Sequence, residues 1–345
     1  MKKQQNNIFE QQIMTIVKRL KVTSNHSFTV DEKPFEVYNK HPYTQAGYDL
    51  GSFGSNQHYT SKEQRSRLLN AITNQLYGKF YCDNAASQHQ LPPITEREHF
   101  MNQLSAANCS SDGLDMNWKI YAVDQKGQAF AQKNGVLRHL IPNTYKYATP
   151  QQTQAVVNQY VHFYRQKENK KAQAVFYYVY GNEYLSHEGS LARIYWHIKP
   201  EGAAKLVSEI TNNFNFYNIP FNFKCLNHKA LYTRSDSAVL YLDKKHLALT
   251  KMMLPHLIKN MDGYLNDSVP LFTQKLGKGV SFAEDPGNGQ SFGMSRVQVI
   301  SEALIEGFQK KITNPEKLTN FVLNYMESMG MSRKYMYRNP RLQTT

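Results

Sequence analysis

The eight residues LARIYWHI, from Leu191 to Ile198, constrain this chain more than any other stretch. Ala192, Ile194, Trp196 and Ile198 alternate with Arg193, Tyr195 and His197, a period of two that specifies a strand with one apolar and one polar face. Pro200 stands where proline is favoured in the first turn of a helix, and Leu206, Ile210 and Phe214 give that helix an apolar stripe. Two more strands are expected after it. In Phe221 to Leu226, Phe221, Phe223 and Cys225 oppose Lys224; in Ser237 to Asp243, Ala238, Leu240 and Leu242 oppose Val239, Tyr241 and Asp243. The run VFYYVYG from Val175 to Gly181 adds an aromatic strand before them. A strand–helix–strand–strand unit is the expected chemical centre.

The rest of the chain reads around that unit. Helices are expected over Gln11 to Leu20, from a capping Ser61 through Leu69, Ile72 and Leu76, and over Glu96 to Ala107. A further helix is expected over Pro150 to Lys167, with Val156, Tyr160 and Phe163 on one face, and WKIYAVDQKGQAF (Trp118 to Phe130) reads as a hairpin. Later helices are expected at His246 to Met261, Val297 to Ile312 and Pro315 to Met329. Tyr43 to Tyr59 and the Gly-rich Gly277 to Gly293 read as loops, and the last 15 residues as a flexible basic tail. The expected fold is α+β: a small, mostly antiparallel sheet with flanking helices in the C-terminal half, and a helical, loop-rich N-terminal half. Its expected domains are 1–170, 171–330 and the tail 331–345.

Charge narrows the partner. Lys plus Arg number 41 against 27 Asp plus Glu, a formal net charge of +14. Such a balance favours an anion: nucleic acid, an acidic membrane or a phosphorylated ligand. Three widely separated cysteines, Cys82, Cys109 and Cys225, argue for a reducing compartment over a disulfide scaffold. No stretch reaches the roughly 18 to 20 apolar residues of a membrane span. The opening MKKQQNN has the lysines of an export signal without its apolar centre, so a cytoplasmic protein is expected, with no membrane partner. Gly277-Lys278-Gly279 lacks P-loop spacing, Gly287, Gly289 and Gly293 make no dinucleotide fingerprint, and Cys225 with His228 has no second pair to complete a zinc site. No metal or other cofactor is expected.

The polar strand faces carry the chemistry. Arg193, Tyr195, His197, Lys224, Arg234 and Tyr241 lie on or beside them. Two arginines and a lysine around one cleft repel each other unless an anion lies between them, and the arginine fork matches phosphate. A lysine near fixed positive charge loses its proton more readily and becomes a usable base. The bland alternative is an ordinary solvent-facing surface, paired with Asp236, Asp243 and Glu183.

LYGKFY (Leu76 to Tyr81), ARIYWHIKPEGAAKLV (Ala192 to Val207), IPFNFK (Ile219 to Lys224), YTRSDSAVLYL (Tyr232 to Leu242) and PLFTQKLGKGVSFAEDPGNGQSFGMSR (Pro270 to Arg296) together resemble the HopA effector family. That family includes type III secreted effectors and stand-alone lyases of ribosomal peptide biosynthesis, as for class V lanthipeptides. The resemblance implies β-elimination of phosphate from phosphoserine or phosphothreonine in a precursor peptide, phosphorylated by a kinase-like protein acting in trans. A distant likeness to phosphothreonine lyases puts Lys224 at the catalytic base and Arg234 at a phosphate-binding arginine. It puts Tyr241 at the tyrosine of a Tyr-x-Lys pair, and Arg193 and Tyr195 at a Lys-x-His pair with His197 two residues on. The general acid is then Tyr195 or His197. Asp243 replaces an expected lysine, with Lys244 beside it, and Arg296 would complete the anion site if its loop folded over the cleft. Residues 171–330 would be the lyase-like catalytic domain and 1–170 would recruit peptide. The alternatives are a HopA-like effector that is secreted into a host cell and binds host proteins, and, more remotely, a nucleic-acid-binding module.

Overall fold

Fifteen strands and seven α-helices form among the described residues of the computed structural model, which are 8–37, 61–83, 92–186 and 190–340. Helix α1 (Ile8–Arg19) leads into the antiparallel strands β1 (Leu20–Ser24), β2 (Ser27–Val30) and β3 (Lys33–Glu36). Helix α2 (Ser61–Gln75) continues as a π-helical turn, Leu76–Tyr81, and α3 (Ile94–Ala107) comes next in the chain. Strands β4 (Gly113–Val123), β5 (Ala129–Lys133), β6 (Val136–His139), β7 (Tyr145–Tyr147) and β8 (Tyr160–Arg165) make an open sheet of order β6-β5-β4-β8-β7. Strands β9 (Glu168–Gln173), β10 (Phe176–Tyr180), β11 (Leu191–Trp196), β12 (Phe221–Leu226), β13 (Ala238–Asp243), β14 (Gln274–Gly277) and β15 (Val280–Glu284) make a second, of order β14-β15-β11-β13-β12-β10-β9. Helices α4 (Ala203–Phe216), α5 (Leu247–Met261), α6 (Phe292–Gln309) and α7 (Pro315–Ser328) complete the set. The fold is α+β, with antiparallel sheets.

The chain separates into two compact units, one drawn from Met1–Ser87, Pro270–Thr273 and Asn288–Thr345, the other from Gln88–Val269 and Gln274–Gly287. Segments from both ends of the chain thus belong to the first unit. In the first unit Thr73 on α2 donates to Ser301 on α6 at 3.0 Å within the buried interior, and Thr319 on α7 reaches Met14 on α1. Ser291 caps α6 by accepting from the Met294 N–H, so that helix starts five residues before the expected Val297.

In the second unit the seven-stranded sheet has two distinct faces. Register pairs Ile194 with Leu240 and Phe282, and Phe223 with Leu240 and Val179, which puts these apolar side chains on one face. Helix α4 covers it: Leu206, Ile210 and Phe214 are fully buried, and the Phe214 ring meets Phe221 edge-on with centroids 5.5 Å apart. Removing this much apolar area from water stabilises the layer by roughly 2 kcal/mol per large side chain. The same register puts Tyr178, Lys224, Val239, Tyr241, Arg193, Tyr195 and Ser281 on the other face.

Several expectations change. Gly277 to Gly293 is no simple loop: β14 and β15 pair as a hairpin across Lys278-Gly279. Gly279 adopts φ +61°, and a Cβ there would lie 2.4 Å from the Asn266 carbonyl oxygen, so the turn needs glycine. Tyr160–Arg165 is strand β8 and not part of a helix, because Val161 and Phe163 bury against the inner face of the five-stranded sheet. The N-terminal half is therefore richer in sheet than expected. Within the expected tail, Met331, Met336 and Tyr337 are buried. The expected loop Tyr43 to Tyr59 lies outside the described residues.

Candidate functional site

Lys224 sits mid-sheet because Phe223 and Cys225 on either side of it are apolar and face α4, leaving it on the opposite face. Its ammonium lies 4.3 Å from the centre of the Phe176 ring and 5.7 Å from those of Tyr178 and Tyr241. Burial pushes its pKa down to about 8; Asp236 opposes the shift, and Arg193 and Arg234 reinforce it. A lysine with that pKa is partly neutral near pH 7, and neutral amine is what a base requires.

Arg193 stands directly opposite Tyr241 in the β11–β13 pair and is only 8% exposed. Its Nε and Nη2 both donate to Asp285 Oδ2 at 2.7 Å. Arg234 comes from the turn between β12 and β13; its Nε and Nη2 donate to Asp236, the latter at 2.7 Å, and its guanidinium carbon lies 5.9 Å from the Phe176 ring. The two carboxylates fix both guanidinium planes. Burial holds the Tyr241 phenol well above its usual range and Tyr178 at about 12, so each keeps its proton and can donate it in a hydrogen bond. Tyr195 is 3% exposed, between Val239 and Ser281 in the register. Ser281 is fully buried, and its Oγ makes no hydrogen bond among the described residues.

Lys224, Arg193, Arg234, Tyr241 and Tyr195 thus come together. The three other residues chosen from sequence have separate engagements. β11 ends at Trp196, and the His197 ring turns to Ser268, whose Oγ is 3.0 Å from Nδ1. Four residues of strand, roughly 13 Å, separate His197 from Arg193. Lys244 pairs with Glu284 at 2.8 Å. Arg296 belongs to the first unit, where it is 1% exposed and donates to the Met336 carbonyl at 2.9 Å and to that of Arg338. Main-chain carbonyls there claim the guanidinium that an anion would need.

Sequence reasoning missed Phe176, Tyr178, Asp285 and Ser281. The alternation within VFYYVY, read in register against Lys224, was the available signal for the two aromatics. The hairpin KLGKGVSFAED held the signal for the other two. Among the described residues no group of three His, Cys, Asp or Glu is arranged to hold a metal ion.

Comparison with known proteins finds a family match that spans this region of the chain. No curated protein matches the chain. The solved structure of an effector protein from Pseudomonas syringae pv. tomato strain DC3000 is 19% identical, covering 79% of this chain and 97% of its own, with a TM-score of 0.45. That of an effector protein from Pseudomonas syringae pv. syringae strain 61 is 13% identical, covering 80% and 97%, with a TM-score of 0.43. The HopA1 effector protein family matches residues 167–338, which include every residue of the cluster around Lys224. Through residues 167–338 this chain belongs to the HopA1 effector protein family.

Proposed function

We propose that this protein is an effector of the HopA type, acting inside a host cell, whose Lys224 face eliminates phosphate from phosphoserine or phosphothreonine in a target polypeptide. The observation that supports this most is the environment of Lys224: an amine with a pKa of about 8 on a sheet face shared with Arg193 and a neutral phenol, with Arg234 nearby in the adjoining turn. In this reading the Lys224 amine takes the Cα proton of the phosphorylated residue. The C–H electron pair forms the Cα=Cβ double bond, the Cβ–O bond breaks, and phosphate departs with its oxygens. Arg193 and Arg234 neutralise the leaving group, and Tyr195 or Tyr241 donates toward it. The products are a dehydroamino acid in the polypeptide and inorganic phosphate. A kinase acting in trans supplies the substrate. Among the described residues no helix is long and apolar enough to cross a membrane.

One observation favours a second reading, phosphate-directed binding without elimination. Arg193 and Arg234 are each already neutralised by a carboxylate, Asp285 and Asp236, so an incoming dianion must compete with both. Mass spectrometry of a phosphoserine peptide incubated with the protein separates the readings. Loss of about 98 mass units, one phosphoric acid, marks elimination; loss of about 80 marks hydrolysis; an unchanged peptide that still binds marks the second reading.

A further inference from the structure

Two adjoining cavities lie at one end of this face, of about 510 Å³ and about 440 Å³, and share Asp115, Arg165, Glu183, Tyr184 and Leu185 as walls. Each is in the size range of a ligand site. The larger is bounded by Tyr180 and Asn222, which pair across β10 and β12. Tyr178 and Lys224 are the next pair on the same face, two residues or about 7 Å along the strands.

The opposite wall is the inner face of the five-stranded sheet, and a β-bulge shapes it. Asp115 pairs with Phe163 and Trp118 with Val161, so two residues, Met116 and Asn117, oppose His162 alone. Asn117 takes φ +64° at this point. Asp115 and Trp118, which plain alternation would turn to opposite faces, therefore share one.

The chemistry of the walls selects the occupant. Their cations are already engaged. Lys133 donates to Asp115 at 2.7 Å and Arg165 to the Gly181 carbonyl at 2.7 Å, while Arg138 lies over the rings of Trp118, Phe163 and Tyr184. Asp115 and Glu183 wall both cavities, and their carboxylates oppose a second phosphate there. Three carboxamides remain: Asn143, Gln166 and Asn222 line the larger cavity, and their side chains make no hydrogen bond among the described residues. A carboxamide both donates and accepts, as does each peptide unit of an extended chain.

We propose that this cavity holds the main chain of the target polypeptide on one side of the phosphorylated residue, through Asn143, Gln166 and Asn222. Its register with Lys224 rests on the lyase reading; its binding of peptide does not. The site requires two to three residues of extended chain beyond the phosphorylated one, and it selects polypeptide over a free phosphorylated amino acid.

The test uses the full chain with three probes: a capped seven-residue phosphoserine peptide, the same peptide unphosphorylated, and a capped single phosphoserine. The variant is Asn143→Gly with Gln166→Ala, neither residue belonging to the Lys224 cluster; Gln166→Ala alone, at an exposed side chain, serves should the pair unfold. We expect kcat/KM for the phosphopeptide at least tenfold above that for the single residue. In the variant the phosphopeptide advantage falls by about tenfold while the single residue reacts as before, and affinity for the unphosphorylated peptide falls in parallel. Equal rates for long and short substrates, or a phosphopeptide indifferent to the variant, would overturn the subsite and leave the lyase reading standing. Should nothing be eliminated at any length, carboxamide-dependent binding of unphosphorylated peptide upholds the subsite while the lyase reading fails; its absence overturns both.

Discussion

Arg193 and Tyr241 face each other across β11 and β13, with the guanidinium carbon 5.2 Å from the centre of the phenol ring. Asp285 anchors the arginine by a hydrogen bond, and burial holds the phenol neutral. Tyr241→Phe keeps the ring and its cation–π contact and removes only the hydroxyl. Elimination should slow by one to two orders of magnitude, with the melting temperature nearly unchanged. A variant as active as the parent would take Tyr241 out of the reaction.

Lys224 couples chemistry to pH. Its folded pKa is about 8 against 10.5 for an ordinary lysine, so the folded chain carries the cost of a desolvated charge at all pH values below about 8. Between pH 8 and 10.5 the unfolded chain binds the extra proton, and the stability contribution of this residue rises with pH. Lys224→Met should therefore raise the melting temperature at pH 7 by an amount corresponding to about 1–3 kcal/mol, and the gain should shrink toward pH 10. The same variant should still bind phosphopeptide and eliminate nothing. Thermal unfolding in parallel buffers checks the first claim and product mass the second.

The Arg193–Asp285 pair is buried on both sides, with side chains 9% and 12% exposed. Breaking such a pair leaves an uncompensated charge, so Asp285→Ala should cost about 3–5 kcal/mol in urea unfolding. Arg193→Met combined with Asp285→Leu should recover most of it. A single variant as stable as the parent would show that the pair does not hold the site.

Arg296 tests the division of labour between cationic residues. Its guanidinium lies 4.5 Å from the Phe292 ring and donates to the Met336 and Arg338 carbonyls, tying α6 to the C-terminal segment. Arg296→Met strands the buried Met336 carbonyl and frees that of Arg338, and should cost about 2–4 kcal/mol in thermal unfolding, with phosphopeptide affinity unchanged. Weaker phosphopeptide binding in a fully stable variant would restore the phosphate role suggested by its motif.

The strands around the site were legible because their apolar halves alternate without a break. Ile194, Phe223 and Leu240 could bury together in one register only, and that register carries Arg193, Lys224 and Tyr241 to the other face. The covering of that second face was not legible. Arg193 and Tyr195 read as polar, and nothing local says that both are more than nine-tenths buried. His197 continued the alternation of a strand that stops at Trp196. Tyr160 and Phe163 have a helix-like separation, but the choice of strand came from β4 alongside, a contact about 45 residues away in the chain. Asp285 and Ser281 were hidden in a hairpin whose glycines resembled a loop.

The central claim is that Lys224 removes the Cα proton as phosphate leaves, and isotopic labelling tests it directly. A phosphoserine peptide deuterated at Cα should lose its deuterium together with phosphate, with a rate that rises with pH through a midpoint near 8 and vanishes in Lys224→Ala. Release of phosphate with the deuterium retained, or release that persists in Lys224→Ala, would contradict it.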